Sequence, residues 1–174
     1  MRFFIFTFVL IVFSALTFAQ DKLDRTLKKF NKESVPYIHV PEIADTENVV
    51  LFDTRKKEEY TVSHLKNAIW VGHKKFEQDT VALHFPDKNT PIIVYCSIGV
   101  RSENIGEKLQ KAGYTNVKNL YGGIFEWKNQ GNAVYNSNAL ETDSIHAFNK
   151  HWGKLLRKGI KVYEVPQVAV EQVD

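Results

Sequence analysis

Five short apolar runs, at residues 37–40, 49–52, 68–71, 92–95 and 117–120, are separated by longer segments of mixed polarity. Each run is rich in β-branched and aromatic side chains and too short for a helix, which predicts a strand. Segments 41–45, 57–62, 74–83 and 102–112, and segment 124–130 after the last run, read as helices. Val49-Val50-Leu51-Phe52 and Ile92-Ile93-Val94-Tyr95 are apolar at every position. A strand needs that only when both of its faces are covered, as in a mostly parallel sheet between helices. The expected fold is therefore α/β: an open, mostly parallel five-stranded sheet with helices on both faces, occupying residues 35–135. In such sheets, chemistry gathers where strands end and loops turn into helices.

The two ends of the chain read differently. Arg2 is followed by a run from Phe3 to Phe13 whose one polar member is Thr7, and then by small residues that include Thr17 and Ala19. That pattern predicts a signal peptide over residues 1–19, cleaved after Ala19, and a periplasmic or secreted protein with no membrane span in the mature chain. Residues 20–34 are polar, with Leu23, Leu27 and Phe30 at helical spacing, and predict a short helix and linker packed on the outside of the domain. Residues 136–174 form an extension in which Ile145, Phe148, Trp152 and Leu155 recur at three and four, while Lys150, Lys154, Arg157 and Lys158 lie elsewhere on the wheel. A basic amphipathic helix ending at Gly159 is expected there, with its apolar stripe on the domain and a loose end over 163–174. Binding of a membrane surface or of a protein partner through that helix is the alternative use.

At 174 residues, with 44% hydrophobic and 25% charged residues, the chain has the size and composition of one globular domain. The net charge of +3, which becomes +2 when Arg2 leaves with the signal, argues against a nucleic-acid partner. The chain has one cysteine, Cys96, so no internal disulfide can form, and an unpaired thiol in an exported protein points to function. The six histidines show no metal-binding spacing, and no metal or organic cofactor is expected.

Cys96 opens the run Cys96-Ser97-Ile98-Gly99-Val100-Arg101-Ser102, between a buried strand and a helix for which Ser102 is the expected N-cap and Glu103 a first-turn acid. A loop so placed can curl its backbone N–H groups around one point. With the positive end of the helix and the Arg101 cation, it favours an exposed, ionised thiolate at residue 96. Gly99 allows the tight curl, and the short Ser97 side chain leaves the mouth open.

The run Cys96-x-x-Gly99-x-Arg101-Ser102 resembles the active-site loop of the rhodanese family of sulfurtransferases. Leu51-Phe52-Asp53-Thr54-Arg55, Glu58-Glu59-Tyr60 and His64-Leu65-Lys66-Asn67-Ala68-Ile69 resemble the family's upstream motif, and Leu120-Tyr121-Gly122-Gly123-Ile124-Phe125-Glu126-Trp127 its downstream one. Ser63 and Asn67 depart from the family, which usually has glycines there. The resemblance implies a rhodanese-like fold and a two-step sulfur transfer. Cys96 takes a sulfur from a donor such as thiosulfate, forming a persulfide, and passes it to a thiol or cyanide acceptor. Arg101 and the N–H groups of Ser97, Ile98, Gly99 and Val100 are then expected to hold the donor's anionic end. Asp53 and Arg55 are expected to fix the neighbouring loops by hydrogen bonds, His64 to stabilise a turn, and Phe125 and Trp127 to lie in the core. Four residues separate Cys96 from Arg101, one fewer than in related phosphatases, which disfavours a Cys-based phosphatase. A non-catalytic interaction module on the same fold is the other alternative.

Overall fold

The computed structural model describes residues 22–43, 46 and 48–164. The expected signal peptide, the end of the predicted helix at 41–45, and the tail from residue 165 lie outside the described residues. Five strands form the main sheet: β1 (Tyr37–Ile38), β2 (Val50–Asp53), β3 (Ile69–Trp70), β4 (Ile92–Tyr95) and β5 (Val117–Leu120). Their order is β1-β5-β4-β2-β3 and every pairing is parallel. The strand that leads into Cys96, β4, is therefore central.

Alternation along β2 and β4 divides the core in two. Leu51, Ile93 and Tyr95 point to one face with Leu65, Leu120, Ile124 and Phe125. Phe52, Ile92 and Val94 point to the other with Val81, Ile105, Leu109 and Val117. Among the described residues, five helices surround the sheet: α1 (residues 22–30), α2 (Lys57–Val62), α3 (Gln78–His84), α4 (Val100–Lys111) and α5 (Gly123–Asn129). Residues 40–42 are a single 3-10 turn, Val40–Glu42, with Pro41 in its first turn. Asn67 adopts φ +58°, so the loop keeps a left-handed turn that asparagine tolerates in place of glycine.

The two ends compare differently with expectation. Helix α1 packs on the domain with its polar face outward: Lys22, Arg25, Lys28 and Lys29 are exposed, Leu23 and Leu27 are 5% and 2% exposed within the first core cluster, and Tyr121 donates a hydrogen bond to Asp24. One expectation, about the C-terminal end, is corrected. The basic amphipathic helix of the C-terminal extension is absent from the described residues. In its place are β6 (Val134–Tyr135), antiparallel to β7 (Glu141–Thr142), and β8 (Ser144–His146), parallel to β9 (Ile160–Val162), with a 3-10 turn at Trp152–Leu155. The backbone N–H groups that a helix would use internally go to strand partners instead: Ala147 N to Val162 O and Ile160 N to Asp143 O, both at 2.7 Å. The spacing of three and four arises because Ile145 is buried on a strand, Phe148 sits at φ +62°, and Trp152 and Leu155 bound one turn. Ile145, Ala147 and Leu156 are fully buried, so the extension is part of the core. Asn129 ties it to α5, donating to Leu155 O at 3.0 Å and accepting from Arg157 N at 2.6 Å. No helix among the described residues is long and apolar enough to cross a membrane.

Candidate active site

Cys96 follows the last residue of β4, at the carboxyl end of the sheet. The loop it opens is held from behind by the start of α5. Ile124 N donates to Cys96 O at 3.0 Å and Phe125 N to Ser97 O at 3.1 Å. With its carbonyls drawn backward, the loop presents N–H groups to the thiol, and Gly99 N lies 3.2 Å from Cys96 Sγ. The close approach of α5 to the loop backbone requires Gly123, because a Cβ there would stand 2.3 Å from Cys96 O.

Gly99, at φ +107°, is the N-cap of α4. The expectation that Ser102 caps this helix is corrected: Ser102 lies inside the first turn and donates from Oγ to Asn119 Oδ1 at 2.7 Å. Asn119, fully buried on β5, uses its Nδ2 to hold Gly99 O at 2.8 Å, and Asn31 reaches the same carbonyl at 3.0 Å. The loop is thus tied to β5, α5 and the segment after α1.

Arg101 projects beside the thiol, but its fork is taken by a carboxylate. Nη1 and Nη2 donate to Glu59 at 2.6 and 2.8 Å, and Nη2 also donates to Ser97 Oγ at 3.0 Å. Ser97 Oγ in turn donates to Glu59 Oε1 at 3.1 Å. Burial alone would raise the Glu59 carboxyl, but the hydrogen bonds and charge of Arg101 bring it down to about 2. Burial would likewise raise the Cys96 thiol. The charge of Arg101 and the N–H groups of Ser102, Ile98 and Gly99 outweigh it, and the thiol lies below its ordinary value.

Asp53 and Arg55 form a fully buried ion pair. Arg55 is fully buried, with Nη2 at 2.6 Å from both Asp53 Oδ2 and Ser63 O, so it ties the end of β2 to the end of α2. His64 stacks on Tyr60 at 4.0 Å and its Nδ1 lies 3.1 Å from Tyr60 O, which is a turn-holding position away from the thiol.

Above the loop is a cleft of about 180 Å3 lined by Cys96, Ile98 and Val100, and by the rings of Phe30, Phe148 and Trp152. Phe30 and Trp152 meet edge to face at 5.5 Å. The thiol is therefore not exposed as expected: Cys96 is only 1% exposed, because these rings stand over it. Cys96 and Arg101 both line the cleft, and the charge of Arg101 acts on the thiol. Among the described residues no cluster of three or more His, Cys, Asp or Glu could hold a metal ion.

The sequence model of the Rhodanese-like domain matches residues 40–130, just over half of the chain. The chain belongs to the rhodanese-like family. It is 26% identical over 96 residues to the thiosulfate sulfurtransferase GlpE of Coxiella burnetii, covering 55% of this chain and 87% of that protein. It is 34% identical over 94 residues to the tRNA uridine(34) hydroxylase of Pectobacterium carotovorum, but spans only 26% of that longer protein. Among solved structures, a thiosulfate sulfurtransferase from Pseudomonas aeruginosa superposes with a TM-score of 0.55 at 23% identity, over 72% of this chain and 24% of that one. A Bacillus halodurans protein gives 0.52 at 22% identity, over 66% and 86%. These structural likenesses share the rhodanese-like fold.

The rhodanese-like match stops at residue 130, and the three roof rings come from outside it: Phe30 from α1, Phe148 and Trp152 from the extension. Sequence reasoning placed these rings on amphipathic stripes and missed the cleft. It also gave no role to Glu59 or Asn119. The signal for Asn119 was a polar residue between Lys118 and Leu120 on the buried side of a short strand; Glu59 lay in the Glu58-Glu59-Tyr60 part of the family motif, but its partner lies 42 residues away.

Proposed function

We propose that this chain is a sulfurtransferase that carries sulfur as a persulfide on Cys96. The thiolate attacks the sulfane sulfur of a donor such as thiosulfate, forming the Cys96 S–S bond. The donor's own S–S bond breaks, and its electron pair leaves on sulfite. An acceptor thiol or cyanide then removes the bound sulfur. The loop N–H groups offset charge on the transferred sulfur, and the charge of Arg101 favours the thiolate.

The observation that carries this reading is the geometry at Cys96: a lone thiol at the end of the central strand, bonded by Gly99 N at 3.2 Å, with its ionised form favoured despite burial. The four-residue spacing to Arg101 and the similarity to a thiosulfate sulfurtransferase over 87% of that protein's length support it. The test is intact-mass measurement after exposure to thiosulfate or to inorganic polysulfide. A gain of one sulfur atom, absent in Cys96→Ala and removed by cyanide, is expected. No gain with either donor contradicts the reading.

A further inference from the structure

Arg101 carries positive charge beside the thiol, yet Glu59 neutralises it within the same fork. The cleft over Cys96 thus has aromatic walls and little net charge with which to hold an anion. Positive charge is concentrated one step away. A second cavity, of about 560 Å3, shares Arg101 and Phe148 with the cleft and is also lined by Lys56, Lys57, Lys74 and Lys75. Among the described residues, Glu58 is the one carboxylate on its lining. All four lysines are exposed, and none forms an ion pair with a carboxylate among the described residues. His73, on the same wall, is held below its ordinary value first by burial and then by the charges of Arg101, Lys108 and Lys74, which reports a positive local field.

Phe148 stands between the two cavities. Its ring centre lies 5.1 Å from Arg101 Cζ and 5.8 Å from Lys56 Nζ. Its φ of +62° is a costly conformation for a bulky residue, and its N–H donates to His146 Nδ1 at 3.2 Å, so the surrounding structure fixes it there. The groove has the size of a small-molecule site.

We infer that this lysine-lined groove holds the anionic tail of the sulfur acceptor: a small thiol bearing carboxylate or phosphate groups, whose sulfur end passes the Arg101–Phe148 partition to reach Cys96. The inference rests on the sulfurtransferase reading and names the substrate class for its second step. The acceptor thiolate attacks the outer sulfur of the Cys96 persulfide and forms the new S–S bond. The Cys96 Sγ–S bond breaks with its electron pair remaining on Sγ, which returns as thiolate. The proton of the persulfide stays with the transferred sulfur.

The test loads the full chain with sulfur from thiosulfate or inorganic polysulfide, then follows discharge by intact mass with matched acceptors. One pair is glutathione against its dimethyl ester, which removes the charge of the carboxylates. The other is coenzyme A against pantetheine, which removes the phosphates. Discharge about tenfold faster to the anionic member of one pair is expected, and which pair responds tells carboxylate from phosphate. That preference shrinks as salt is raised, and falls to about one in Lys57→Glu/Lys74→Glu. Both lysines are exposed, so the reversal acts on the field rather than on the fold. Loading followed by equal discharge within both pairs, or a preference that survives the charge reversal, overturns this inference alone. Failure of Cys96 to load overturns the sulfurtransferase reading and this inference with it.

Discussion

Two buried ion pairs sit side by side at the carboxyl end of the sheet and do different work. Asp53 and Arg55 are two residues apart, both side chains fully sealed, and their second partner is the backbone at Ser63. Glu59 and Arg101 are 42 residues apart; the carboxylate is sealed, but the guanidinium is 22% exposed and borders the cleft. The first pair joins elements. The second sets charge: it keeps a cation beside Cys96 while cancelling most of its reach toward solvent. The contrast shows that a buried ion pair can be a structural tie or an electrostatic setting, and that the neighbour it faces decides which.

Breaking the first pair has the largest expected effect on stability. Arg55→Leu leaves Asp53 sealed and unpaired, and a loss of about 3–5 kcal/mol in urea unfolding is expected. Acid tests the second pair next. The Glu59 carboxyl is about 2 when folded, against an ordinary 4.5. Its contribution is therefore complete above 4.5 and drains away as pH falls toward 2, because the unfolded chain takes up the proton first. The loss is on the order of 3 kcal/mol at most, read from unfolding midpoints across that window and removed in Glu59→Gln. At neutral pH, Glu59→Gln itself is expected to cost about 2 kcal/mol. It also lowers the thiol further, since Arg101 then acts unopposed. Arg55→Leu is expected to leave the thiol nearly unmoved, and equal movement in the two variants would erase the distinction between the pairs. The smallest effect sharpens the role of the loop ties: Ser102→Ala leaves Asn119 Oδ1 without its donor and is expected to cost about 1 kcal/mol.

The main sheet was legible in the sequence because its strands are bounded apolar runs; β4 and β5 fall at the expected residues and α2 spans the expected 57–62. Local spacing also located the Cys96 loop. What the sequence did not show is nonlocal. Glu59 and Arg101 meet only through the fold, and Asn119 reaches Gly99 from another strand. The C-terminal extension misled because Ile145, Phe148, Trp152 and Leu155 satisfy a helical period, while Ile145 pairs with β9, Leu155 O accepts from Asn129 of α5, and the N–H groups of Phe148 and Trp152 donate to the side chains of His146 and Asn149. Hydrophobic spacing reports which residues are buried, and only the backbone partners decide the element that buries them.

The central claim is that residue 96 is an ionised nucleophile made so by Arg101 and the loop N–H groups. Because Cys96 is the one cysteine in the chain, its titration can be read directly from thiolate ultraviolet absorbance against pH, with Cys96→Ser as the blank. A midpoint below the ordinary thiol range is predicted, moving upward in Arg101→Leu. A midpoint at or above that range, unmoved by Arg101→Leu, would contradict the account.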